Sequence, residues 1–331
     1  MTAYRDVELP AAPRPTATAS RKLVVVIGID RYAHWRPLHN AVSDATGARA
    51  VFQRLGFHEP RPPLVDEHAS GAALRALVSD ELASLSPDDS LIVFFAGHGG
   101  TQTHQHGEAQ IKTGYLIPVD AEPDKVATWI DLEGWLRSIA LLPPRHILVI
   151  LDACHSGIAL VPVIHWRDSG AEPPGGLDAL QQRRSRRVIT SALDDERAAD
   201  AGPVAGHSLF TGCLIEALTG GIAKPDGLAT GSELAVWVQH RVRTYPAVSQ
   251  TPDFGAFALD DRGEMVIPLL AAGAPSPAPP RARTRVARPR SAARPELASV
   301  LRRWLRRDGD WLAIALPLLA TSLAGLLARS C

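Results

Sequence analysis

Three near-continuous apolar segments constrain this chain most, because each breaks into small and polar residues at its C-terminal end. LVVVIGI (23–29) runs into Asp30-Arg31. SLIVFFAG (90–97) runs into His98-Gly99-Gly100, and HILVILDA (146–153) into Cys154-His155-Ser156-Gly157. Apolar runs this short, with no alternation, are the pattern of strands buried on both faces in a parallel sheet. Helical spacing of apolar residues fills the intervals: 41–57 with a stop at Gly56, then 70–85, 131–140, 208–218 and 232–244. GYLIPVD (114–120) and RVITSA (187–192) read as two further strands. The alternation predicts an α/β fold, a mostly parallel sheet with helices on both faces. A length of 331 residues, 46% of them hydrophobic, is enough to build that core.

Ligands of open α/β sheets bind outside the carboxyl ends of the strands, where His98 and Cys154 both fall. A thiol at neutral pH needs a nearby base to be largely ionised. Cys154 is therefore the candidate nucleophile and His98 its base. Flanking glycines let the backbone approach a substrate and aim N–H groups at a developing oxyanion; the amides of Gly99 and Cys154 are the candidates. Asp30 reads as a structural acceptor at the end of the first strand, and Cys213, on an apolar helix face, as core. His98, His104 and His106 have a metal-like spacing, but the last two fall in a Gln/Thr/Gly stretch that reads as a mobile loop, and no metal is expected. Neither a phosphate-binding loop nor a dinucleotide fingerprint occurs, so nucleotide binding is not expected, and no cofactor is implied. The three cysteines are far apart and odd in number, which speaks against a disulfide framework and for a reducing compartment.

Ordered motifs carry a resemblance. IGIDRY (27–32), LHNAVSDA (38–45), FFAGHGG (94–100), GYLIPVDA (114–121), LDACHSG (151–157), TSA (190–192), HSLFT (207–211) and QTPDF (250–254) follow one another as in the caspase-like cysteine peptidases, and the chain resembles metacaspases and their bacterial relatives most. The resemblance covers roughly 22–268. It implies a caspase-like fold: a central, mostly parallel sheet of about six strands, in a domain spanning 22–270 with a large portion (22–182) and a small one (187–270). It also implies a His98–Cys154 dyad and a first substrate pocket lined by Asp44 and Asp152. Two carboxylates favour Arg or Lys, Arg by bidentate pairing, so cleavage after a basic residue is expected. Ala96 stands where metacaspases often have Ser, and no calcium-binding acidic cluster is apparent. RRSRR (183–187), between the two portions, reads as a solvated basic loop or as a site of self-cleavage.

The formal net charge is zero but unevenly spread. From Arg281 onward there are 11 Arg and 3 acidic residues, leaving 24 basic and 32 acidic residues before it. Residues 1–21 read as a flexible leader without a signal peptide, and 271–308 as a Pro/Arg-rich linker. WLAIALPLLATSLAGLLA (311–328) is 18 residues without a charge, about 27 Å as a helix. With Arg302, Arg303, Arg306 and Arg307 before it, 309–331 reads as a C-terminal transmembrane anchor with the peptidase domain cytoplasmic; a buried core helix or an interfacial one is the alternative. The basic linker is expected to meet anionic lipids rather than nucleic acid. Ala320, Ala324 and Ala328 would permit a homo-oligomer through the membrane helix, although spacing in so Ala-rich a chain also arises by chance. The expectation is a membrane-anchored endopeptidase, switched on by an unidentified activating partner, acting in bacterial defence or regulated cell death. The alternative is a membrane-bound scaffold or pore-forming effector whose caspase-like domain only senses or regulates.

Overall fold

The computed structural model describes residues 20–107, 109–153, 176–193, 196, 198–246 and 248–271. In chain order the elements are β1 (Lys22–Gly28), α1 (Ala41–Arg54), β2 (Leu64–Val65), α2 (Gly71–Ala76), β3 (Ser90–Ala96), β4 (Gly99–His106), β5 (Ala109–Leu116), β6 (Ile130–Asp131), α3 (Leu132–Ala140), β7 (His146–Asp152), α4 (Gly176–Gln181), β8 (Ser185–Thr190), α5 (Leu209–Glu216), β9 (Leu228–Thr230), α6 (Gly231–Arg243), β10 (Asp253–Ala256) and β11 (Val266–Pro268).

The central sheet has six strands in the order β10-β8-β7-β3-β1-β2, all parallel except β10, which runs antiparallel to β8 along one edge. Successive side chains of a strand point to opposite faces, and both faces are covered here. Val24, Val26, Ile92, Phe94, Leu148 and Ile150 pack into one core with α1, α5 and α6. Val25, Ile27, Val93, Phe95, Val149 and Leu151 pack into the other with α2 and α3. This is why the three strands carry no polar alternation.

Four expectations change in detail. The helix over 70–85 is α2 followed by a π turn (Leu77–Glu81) and a 3-10 turn (Leu82–Ser84). The strand over 114–120 is the end of β5, which pairs antiparallel with β4 in a separate three-stranded sheet, β4-β5-β6. The polar stretch that holds His104 and His106 is thus a strand rather than a mobile loop, because ladder hydrogen bonds come from the backbone and need no apolar side chains. Finally, RRSRR is not a solvated loop throughout. Arg183 and Arg184 are exposed, but Ser185–Arg187 begin β8 and Arg186 is 2% exposed. Its guanidinium donates to the carbonyls of Ala140 (3.0 Å), Leu142 (2.9 Å), Arg145 (3.1 Å) and Ser185 (2.9 Å). Ala140 ends α3, where a cation also meets the negative end of the helix dipole.

The leader over 1–19, the linker from 272 and the proposed membrane helix over 309–331 lie outside the described residues. Among the described residues no helix is long and apolar enough to cross a membrane.

Candidate active site

β3 and β7 are neighbours in register, with Ala96 opposite Asp152. The Gly97 N–H donates to the Asp152 carbonyl at 3.2 Å, so the Gly-His-Gly segment and Asp152-Ala153 leave the sheet side by side. Cys154 and His155 lie outside the described residues.

His98 is 8% exposed and held from two sides. Its backbone N–H donates to Tyr32 Oη at 2.7 Å, and the two rings lie 4.7 Å apart. Gly97 makes that approach possible: a Cβ there would stand 2.7 Å from Tyr32 Oη and 3.1 Å from the Phe95 ring. On the imidazole, Nε2 lies 2.8 Å from the Arg36 carbonyl oxygen. A carbonyl can only accept, so Nε2 carries the proton, and in the neutral ring Nδ1 is left as the acceptor. Burial holds the His98 pKa below the ordinary imidazole value; the Arg36 carbonyl opposes that shift and the Arg36 charge adds to it. The resulting group is neutral, oriented and basic at one known nitrogen.

Gly99 opens β4. Ile117 N–H donates to the His98 carbonyl, and Gly99 pairs with Leu116. Because bonded and non-bonded pairs alternate along an antiparallel ladder, the Gly99 N–H points away from β5, off the edge of this small sheet that no described strand covers.

A cleft of about 320 Å³ is lined by His98, Asp44, Asp152, Ala153, Asp200 and Ser208, with Arg36–Ala41 at one side. Asp44 comes from α1 and is 2% exposed; Asp152 ends β7 and is 6% exposed. Oδ1 of Asp44 accepts from His207 Nδ1 at 2.9 Å and from the Ser208 N–H at 3.0 Å. Oδ2 of Asp152 accepts from Ser208 Oγ at 2.5 Å and Thr211 Oγ1 at 2.6 Å. Ser208 Oγ meanwhile caps α5 by accepting from the Thr211 N–H at 3.0 Å. The start of α5 thus pins both carboxylates at once. Neither has an Arg or Lys among its described hydrogen-bond partners. Burial raises the pKa of both, that of Asp44 to about 7; the bond from His207 pulls it back and the charge of Asp152 adds to the rise. For Asp152, Ser208 and Thr211 oppose the rise, and Ser191 opposes it less.

Asp30 is the acceptor expected: its Oδ1 takes the N–H of Ala41 at the start of α1, at 2.8 Å. Cys213 is buried in the core, and burial pushes its thiol up to about 12. Among the described residues no group of three His, Cys, Asp or Glu side chains could hold a metal. Sequence reasoning assigned no role to Tyr32, His207, Ser208 or Thr211. The available signal was their membership of IGIDRY and HSLFT, motifs that carried the resemblance without a stated reason.

Comparison with known proteins gives one family: residues 21–260 match the caspase domain of the C14 peptidases. Among curated proteins the chain is similar to metacaspase-1B of Aspergillus fumigatus, 29% identical over 44% of this chain and 38% of that one. It is also similar to metacaspase-1 of Eremothecium gossypii, 28% identical over 46% and 38%, and to metacaspase-2 of Arabidopsis thaliana, 30% identical over 46% and 38%. The matches thus span little more than a third of those relatives' length. A crystal structure of a Geobacter sulfurreducens protein shares the fold, with TM-score 0.52 and 18% identity over 73% of this chain and 95% of that one.

Proposed function

The chain belongs to the caspase-domain family, and from that premise we propose that it is a cysteine endopeptidase cleaving after Arg or Lys through His98 and Cys154. What carries the specificity is the pair of buried carboxylates, Asp44 and Asp152, in the same cleft as His98 and with no Arg or Lys among their described hydrogen-bond partners. In this reading Nδ1 of His98 takes the Cys154 thiol proton, the thiolate attacks the scissile carbonyl, and the Gly99 and Cys154 amides receive the oxyanion. The imidazolium then gives its proton to the departing amine. Water, deprotonated by the same Nδ1, releases the acyl group. The P1 cation restores the charge of Asp44 and Asp152 as it enters, so their desolvation is compensated only when a basic residue is bound.

The wider setting belongs to the same proposal. Residues 309–331 anchor the enzyme in a membrane with its catalytic domain cytoplasmic, the Arg-rich linker lies against anionic headgroups, and an unidentified partner triggers it in bacterial defence or regulated death. The charge-free run 311–328 behind four arginines is its support.

The test is cleavage of fluorogenic peptides with P1 Arg, Lys or Asp by the full chain, beside Cys154→Ala, with the protein's partition into the membrane fraction measured alongside. Cleavage after Arg or Lys, lost in the variant, is expected. Cleavage after Asp would keep the dyad and sink the pocket assignment. Full-length protein in the soluble fraction would remove the anchor.

A further inference from the structure

His207 and Asp44 are 163 residues apart in sequence and both nearly sealed from solvent, with side-chain exposures of 1% and 3%. Nδ1 of His207 and the Ser208 N–H both bond the same oxygen, Oδ1. Oδ2 of Asp44 accepts no hydrogen bond among the described residues, and Asp44 lines the cleft. The imidazole is wedged against α1, since a Cβ built on Gly47 would collide with His207 Cε1 and stand 2.9 Å from Nε2. A glycine in the middle of a helix costs stability relative to alanine, and here it makes room for this ring.

We propose that His207 is a positioning residue of the P1 pocket: by holding Oδ1 of Asp44 it turns Oδ2 toward the cleft, ready to pair with an incoming guanidinium or ammonium. The inference rests on the acidic-pocket reading above. Its consequence is a pH dependence, and the groups facing Asp44 are few. From the α5 side they are His207 and the Ser208 amide; from β7 comes Asp152, with Asp200 acting on Asp152 in turn; Arg36, His39 and His98 stand elsewhere on the cleft wall. Of the groups that act on Asp44 directly, His207 and the Ser208 amide favour the charged carboxylate, while Asp152 and burial oppose it. Without His207, Asp44 therefore stays protonated to higher pH. A rise of about one pH unit, tenfold in the ionisation constant, would cut the ionised fraction at pH 7 about fivefold and leave it almost unchanged at pH 9.

The experiment measures binding of agmatine, whose guanidinium stands for a P1 Arg side chain, to the full chain by calorimetry between pH 6 and 9. It compares wild type, His207→Ala, His207→Asn, Gly47→Ala and Asp44→Asn. For His207→Ala the expected result is about fivefold weaker binding at pH 7 that recovers by pH 9. His207→Asn keeps an N–H donor near the Nδ1 position and should stay near wild type. Gly47→Ala displaces the ring without removing it and should follow His207→Ala, so a poorly folding His207→Ala leaves the test intact. An unshifted pH profile, a loss equal at every pH, or His207→Asn as weak as Ala would overturn the role of His207. Asp44→Asn separates the two layers: if it binds agmatine as the wild type does, the acidic pocket itself is wrong and the inference falls with it.

Discussion

Replacing Asp44 by Asn should strengthen the empty fold while weakening recognition of the substrate. The amide is nearly isosteric: its carbonyl oxygen can accept from His207 Nδ1 and the Ser208 N–H as Oδ1 does now, and its NH₂ would face the cleft. What changes is the charge. Burial lifts the folded-state pKa of Asp44 to about 7, against ~3.9 in the unfolded chain. For a carboxyl whose folded pKa is raised, stability is fully present below the unfolded pKa and is lost as pH climbs toward the folded one. The window runs from about pH 4 to about pH 7. Integrated between pH 5 and pH 8, this group alone removes ~2–3 kcal/mol of stability from the wild type. Asp44→Asn removes that slope, so urea denaturation should give curves that diverge as pH rises, with the variant the more stable at pH 8. Groups common to both proteins cancel in the difference, which belongs to the Asp44–His207 pair as a unit. The same variant should bind P1 Arg peptides more weakly, because a charged partner is replaced by a neutral one. Parallel stability curves, or a variant less stable at pH 8, would refute the account of a carboxylate buried without its cation.

Two more outcomes follow from the packing. Gly97→Ala places a methyl 2.7 Å from Tyr32 Oη and 3.1 Å from the Phe95 ring; overpacking of this kind costs ~1–3 kcal/mol, and displacement of Tyr32 from the His98 N–H should reduce turnover more than peptide affinity, read as kcat against KM. Arg186→Met keeps the aliphatic stem but takes the guanidinium donor from the carbonyls of Ala140 and Leu142, while that of Arg145 keeps the Ser185 N–H. A loss of ~2–4 kcal/mol in urea is expected; in the wild type, brief trypsin treatment should cut after exposed Arg183 or Arg184 and spare Arg186.

The parts of this molecule that were legible in its sequence are those where one physical cause dominates. β1, β3 and β7 are buried on both faces, so hydrophobicity alone writes them as apolar runs, and their polar ends mark the sheet edge where His98 and Asp152 stand. β4 and β10 escape such a reading because an edge strand needs only its backbone to pair: Thr101, Gln102 and Thr103 look like a loop and form a ladder. Charge misleads in the same way. A run of four arginines around Ser185 suggests solvent, yet Arg186 is fully buried because three carbonyls at and just after the end of α3, and that of Ser185, accept from it. Asp44 shows the limit most clearly. Its helix position was visible, and family resemblance named it as a pocket residue, but neither periodicity nor composition could show that an imidazole 163 residues later would bond it. The two acids of the cleft sit on separate elements, α1 and β7, and among the described residues are tied together through the first turn of α5. A substitution in HSLFT should therefore disturb substrate recognition without touching the nucleophile or its base, which a reading confined to the His-Gly and Asp-Ala-Cys motifs would not anticipate.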